Sequence, residues 1–353
     1  MNQLKGLTAE QAVDIVIATA AGGAGQLDVG SGEYWQQGQN MTRNWLDRMA
    51  KVGSQTGSSP FRERMAFFWH GHICSELQKV NSPSAMREQI DTFRAQGVTG
   101  NFGQMMKDVS LQVAMLRYLD NDQNFASSPN ENFARELMEL FILGVNNYTE
   151  ADVQASTAAW TGHTAHWEGH PQPTFVIERH VYEAQTFLGQ TINQNTKPFE
   201  DAGYQTIDVM LGLGDHSSAA TRGKVTAGPD VGTDAREIAA TFLSWKLWQE
   251  FAEADTGTVP PGVLADMVAA LLDNDFDIQP WVRAMLVHPD FYPDTNPAVA
   301  GGLVRQPVEY MVALMVLNGR TAGQAAALWL MPLTGQQLFY PPNVSGWRPN
   351  GYW

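Results

Sequence analysis

Cysteine is all but missing. A single residue, Cys74, occurs in 353, which excludes an intrachain disulfide framework and a cysteine-rich zinc site. The count leaves the compartment open, because large secreted proteins can lack disulfides. Positive charge is also scarce: 22 Lys and Arg against 37 Asp and Glu give a formal net charge of −15. An acidic surface gains nothing from a polyanion, so nucleic acid and anionic membrane are not expected as partners. Long apolar runs are missing too. The longest, near Met311–Leu317 and Ala325–Met331, fall well short of the ~18–20 residues of a membrane span, and no transmembrane segment is expected. Strand-type alternation is rare. Only "TFVIER" (Thr174–Arg179) shows it, enough for one arm of a short hairpin. No repeat of ~20–50 residues appears, which excludes a solenoid. Nor is there a G-x-S-x-G elbow, a P-loop or a dinucleotide fingerprint.

What is present is apolar residues at helical spacing. With 44% hydrophobic residues and 11 Trp, the chain can bury a substantial core. The pattern predicts helices at 8–20, 40–52, 59–80, 83–96, 101–119, 128–143, 149–161, 203–213, 233–253, 261–273, 278–288, 305–318 and 321–331. Several begin on capping signals, among them "TAEQ", "SPFRER", "SPNEN" and "TEADV". The opening stretch reads as an amphipathic helix capped at Thr8 rather than a secretion signal, because Glu10 and Asp14 interrupt its apolar residues. The abrupt ends leave open that the chain is a fragment. The fold class expected is all-α: a large orthogonal multi-helix array with at most a short β-hairpin. A polar, Gly-rich stretch over 163–232 is expected to be a loop-rich insert in a single 1–353 domain, between helical halves 1–162 and 233–353.

Three segments carry chemistry. In "NENFARELMELFILGVNNYTEADV" (Asn130–Val153), an α-helical wheel with Phe133 at zero and ~100° per residue places Leu137 near about 40° and Leu140 near about 340°. Glu136 falls near about 300°, inside the apolar arc. Glu131, Arg135 and Glu139 form an outward i,i+4 ladder. A carboxylate among leucines must be paired, metal-bound or protonated, since its lone desolvation costs several kcal/mol. It is therefore either a structural tie or an acid–base or ligand group. The histidines pose the same choice. In "RMAFFWHGHICSE" (Arg64–Glu76), His72 shares a helical face with Phe68 and Trp69 and is spaced i,i+4 from Glu76, while His70 points elsewhere. In "TGHTAHWEGH", His163, His166 and His170 would suit one metal ion if the segment is a helical turn or tight loop, with His180 ten residues on. A core histidine and a solvated cluster are the plain alternatives.

The helix "NENFARELMELFILGVNNYTEADV", with "FWHGHI", "LRYLDNDQN" and the closing "FYPPNVSGW", resembles the bacterial family called domain of unknown function (DUF) 1800, from about Pro60 to the C-terminus. The resemblance implies a large, mostly helical protein. It also implies export to the periplasm or beyond, and a possible partner from a neighbouring family similar to alkaline phosphatases and sulfatases. It brings no established reaction. The family's pattern falls on Trp69, His72, Asp120, Asn130, Glu131, Asn132, Arg135, Glu136, Glu139, Asp152, Gly162, His180, Gly189, Asn343, Gly346 and Trp347. The chain departs where an aromatic usually follows "TG", here His163, and where Asp usually follows His180, here Val181. The usual Lys before Leu188–Gly189 is also absent.

Two functions are compatible with these residues. One is a metal-dependent enzyme, hydrolytic or oxidative, acting on a substrate of unknown kind. Its catalytic residues would be His72, Arg135 and Glu136. A divalent ion would be held among His72, Glu136, Glu139, His163, His166 and His180. The other is a non-catalytic, envelope-associated accessory or scaffold protein, in which the same polar residues form a buried network fixing helix register.

Overall fold

Three helices start where the sequence placed their caps. Thr8 and Gln11 close a reciprocal capping box on Ala9–Ala21. Ser59 accepts from the Arg62 amide ahead of Pro60–His72, with Pro at the first helical position, where no amide is needed. Thr149 and Asp152 form another reciprocal box, on Glu150–Ala159. The structure is a computed structural model describing residue 4 and residues 6–22, 25–167, 170–192, 198–252, 258–292 and 305–347. Glu168 and Gly169 of the histidine motif lie outside the described residues. Among the described residues the fold is mostly α-helical, with fifteen α-helices and two small antiparallel sheets of two strands each. No described helix is long and apolar enough to cross a membrane.

The chain divides into two units. The first comprises Met1–Leu77, Ile90–Asn101 and Ser244–Trp353; the second comprises Gln78–Gln89 and Phe102–Leu243. In the first unit Trp45, Trp69, Trp248 and Trp281 are fully buried. Glu63 and Arg94 are equally buried and bind each other through two bonds, Nε to Oε2 at 2.7 Å and Nη2 to Oε1 at 3.1 Å. The Trp45 indole adds a third bond to Glu63 at 3.0 Å. The closing "FYPPNVSGW" packs within this unit: Trp347 lies edge-on to His70 with ring centroids 5.2 Å apart. Gly346 has φ +78°, and a Cβ there would sit 2.1 Å from the Gly71 carbonyl, so only glycine fits.

In the second unit, Phe133 meets Trp160 edge-on with centroids 5.0 Å apart, and both are fully buried. Two hairpins emerge from the polar stretch. His163–His166 pairs with Gln172–Phe175, and Gln185–Phe187 pairs with Gln190–Ile192. The expected hairpin arm thus lies two residues earlier than "TFVIER". The second hairpin turns through Leu188 (φ +47°) and Gly189 (φ +75°), both left-handed, as the right-handed twist of a two-residue hairpin requires.

Three predicted helices are broken. The 59–80 run ends at His72 and resumes only as the short Leu77–Val80. The 101–119 run splits into Phe102–Leu111 and Val113–Tyr118. The 128–143 run starts at Asn132, is α-helical only to Glu136 and continues as a π-helix over Leu137–Ile142. Its wider winding is visible in the Leu143 amide, which bonds the Met138 carbonyl five residues back at 2.8 Å.

Candidate functional site

The π-turn rearranges the carboxylates that an α-helical wheel would place. Winding i→i+5 turns each residue through a smaller angle, so the Glu131–Arg135–Glu139 ladder stops halfway. Arg135 Nη2 still binds Glu131, at 3.1 Å, but its other partner is Glu150 at 2.8 Å. Glu139 instead accepts a hydrogen bond from the Tyr148 hydroxyl at 2.5 Å. Burial and the Glu139 carboxylate together push the Tyr148 hydroxyl well above its ordinary range.

Glu136 sits where the α-helix becomes the π-helix. It is half-buried rather than fully enclosed among leucines, because Leu140, expected beside it, is itself only half-buried. No described residue hydrogen-bonds or ion-pairs with its carboxylate. Desolvation raises its pKa first and the Glu139 charge raises it further, with Arg135 acting weakly the other way. The result is a carboxyl that holds its proton more tightly than an ordinary Glu, next to a second carboxyl bonded to a phenol.

Most other motif residues are engaged in holding backbone. Asn124 accepts from the Asn130 amide at 3.0 Å and donates to the Thr157 carbonyl at 2.9 Å. Asn130 accepts from the Asn132 amide at 3.1 Å, and Asn132 donates to the Leu119 carbonyl at 3.2 Å. Asp152, 4% exposed, accepts from the Thr149 amide and hydroxyl, the Leu188 amide and the Thr226 hydroxyl.

The histidines separate by environment. His72 belongs to the first unit and is the last residue of Pro60–His72. Its ring is parallel to Phe68, with centroids 5.9 Å apart. The helix ends there, so Glu76 does not follow it as an i,i+4 helical neighbour. His70, fully buried, accepts from the Phe339 amide at 3.2 Å, and burial depresses its pKa to about 3. Arg135, Glu136, Glu139, His163, His166 and His180 all belong to the second unit. His163 and His166 lie on a strand rather than a turn, so their spacing of three puts them on opposite faces, one buried and one exposed. His170 is exposed. His163 and His180 do share an environment: the Phe175 ring lies 5.1 Å from His163 and 5.3 Å from His180. Burial and the neighbouring His180 depress the His163 pKa to about 4. His180 Nδ1 lies 2.9 Å from the Thr161 carbonyl, which makes Nδ1 the protonated nitrogen.

Four of the six predicted ligands therefore form two groups in the second unit, the carboxyls of Glu136 and Glu139 and the imidazoles of His163 and His180, while His166 is exposed and His72 belongs to the first unit. Each group offers two donors. Among the described residues no cluster of three or more His, Cys, Asp or Glu side chains is arranged to hold a metal ion. Tyr148 was invisible as a site residue in the sequence, because its approach to Glu139 depends on the π-turn and on the reversal at Gly144 (φ +79°).

This is a mostly helical protein whose most unusual local feature is a π-turn carrying two carboxyls. The family model described as "Protein of unknown function (DUF1800)" matches residues 2–353, and the chain belongs to that family. No curated protein and no solved structure matches it.

Proposed function

We propose that the second unit carries an acid–base centre at the π-turn and that the protein is an enzyme of hydrolytic type. Glu136 would be the general acid, and the Glu139–Tyr148 pair would accept or return a proton beside it. One observation carries this reading: a half-buried carboxyl with a raised pKa and no hydrogen bond or ion pair to a described residue, placed at the start of a π-helix. A structural carboxylate is normally paired, whereas an unpaired one with a raised pKa suits proton donation nearer neutrality. π-Turns also tend to occur at functional positions. Arg135 would position the centre through its ion pairs and contribute charge. Where a divalent ion takes part, Glu136 and Glu139 would supply two oxygen ligands, the rest coming from substrate or water.

The scaffold reading has its own support. Asp152, Asn124, Asn130 and Asn132 spend polar atoms on backbone, hydroxyl and side-chain amide groups of this chain, as register-fixing residues do. Glu136→Gln separates the two readings without knowledge of the substrate. Removing a repelled carboxylate that no described residue pairs leaves the melting temperature unchanged or raises it if Glu136 serves chemistry at the expense of stability. A loss of more than about 1 kcal/mol on Glu136→Gln would assign it to the structural network instead. Turnover of model esters, amides or glycosides by wild type, lost in the well-folded Glu136→Gln variant, completes the test.

A further inference from the structure

The first unit contains a cavity of about 450 Å³ against the Pro307–Asn318 helix, lined by residues of that unit. Its wall is apolar: Met49, Phe67, Val308, Val312 and Ala313. Val308 and Val312 repeat at i,i+4, so one face of the helix forms a continuous greasy side. Three charged residues also line it, and they are not equivalent. Arg64 is already neutralised, with Nε 2.6 Å from Glu309 and Nη1 2.9 Å from Glu250. Glu309 is occupied as well, by Arg64 and by the Gln306 amide at 3.1 Å. Arg305 is exposed and makes no hydrogen bond or ion pair with a described residue.

We propose that this cavity binds a single-chain amphiphilic acid, its apolar tail against the Val308–Val312 face and its carboxylate on Arg305. The size fits. A dry protein cavity of roughly 150 Å³ accommodates benzene, so this one takes a tail and head of roughly 15–18 non-hydrogen atoms. The charge pattern sets the orientation. Two carboxylates share Arg64, so an anionic head placed beside that cluster would be repelled. Arg305 offers a cation whose donors no described residue engages, and a carboxylate can accept from them. The tail therefore enters first and the head stays with Arg305. A cationic or neutral amphiphile would lack that partner.

Isothermal titration with sodium dodecanoate below its critical micelle concentration tests this directly, with dodecyltrimethylammonium as the matched cation. The expected result is 1:1 binding of dodecanoate by wild type and much weaker binding of the ammonium compound. Arg305→Glu should weaken dodecanoate about tenfold or more. Ala313→Phe, which fills the cavity, should abolish binding of both while circular dichroism stays unchanged. Arg305 is exposed, so Arg305→Glu remains informative even if Ala313→Phe fails to fold. The proposal is overturned if wild type does not bind dodecanoate, if the ammonium compound binds as tightly, or if Arg305→Glu leaves the affinity unchanged. None of these outcomes bears on Glu136.

Discussion

Asp152 is the motif residue whose structural role can be worked through bond by bond. Its Oδ1 accepts from the Leu188 amide at 2.7 Å, and Oδ2 accepts from the Thr149 amide at 2.8 Å and hydroxyl at 2.6 Å, together with the Thr226 hydroxyl. It thereby ties the start of Glu150–Ala159 to the left-handed turn at Leu188 and to the segment at Thr226. Asp152→Ala removes all of these at once. Loss of the reciprocal cap costs about 1 kcal/mol. The Leu188 amide, on a fully buried residue, is left unpaired for about 1–3 kcal/mol more. With the hydroxyl bonds, the total is roughly 3–5 kcal/mol. Asp152→Asn keeps the acceptor for Leu188 but sets an amide N–H₂ against the Thr149 N–H, while both hydroxyls can rotate to accept. Its cost should be roughly 1–2 kcal/mol. Urea denaturation followed by far-UV circular dichroism reads both, as a shift in midpoint at constant slope. A cost below about 1 kcal/mol for Asp152→Ala, or equal costs for the two variants, would refute the claim that these bonds organise the second unit.

Three further outcomes are expected. Replacing Glu63 alone by Ala should cost about 3–5 kcal/mol by leaving the Arg94 guanidinium buried with Asp91 as its remaining carboxylate, whereas Glu63→Met with Arg94→Met together should recover most of that loss in urea titrations. His163 is buried with its pKa depressed from 6.5 to about 4, so its contribution is fully present above pH 6.5 and is lost as pH falls toward 4. That amounts to about 3 kcal/mol, and His163→Phe should flatten the acid limb of a stability–pH profile accordingly. Glu136 has the opposite sign. Its raised folded pKa gives a contribution fully present below the ordinary Glu range and lost as pH rises through the raised value. Calorimetric melts across that window should show the decline in wild type and not in Glu136→Gln, and an identical decline in both would show that Glu136 is not its source.

The sequence by itself determined the class and most of the elements. Apolar spacing at 3.6 residues and Ser, Thr or Asn caps are local properties, so Ala9–Ala21, Pro83–Gln96 and Pro261–Asp273 appear within one residue of where the pattern put them. The motif helix was legible as amphipathic, and Glu136 as its odd residue, for the same reason. Tertiary structure decided the rest. The change from α to π winding after Glu136 has no local code here, and it redirected Glu139 from Arg135 to Tyr148. His163 and His166 read as neighbours only while their segment could be a turn; pairing with Gln172–Phe175 made it a strand and sent the two rings to opposite faces. The Thr149–Asp152 box was visible as "TEAD", but its bonds to Leu188 and Thr226 join residues 36 and 74 positions away. Burial and pairing of a charged side chain depend on what packs over it. That is why the sequence could single out Glu136 but only the folded chain could leave it without a hydrogen bond or ion pair to any described residue.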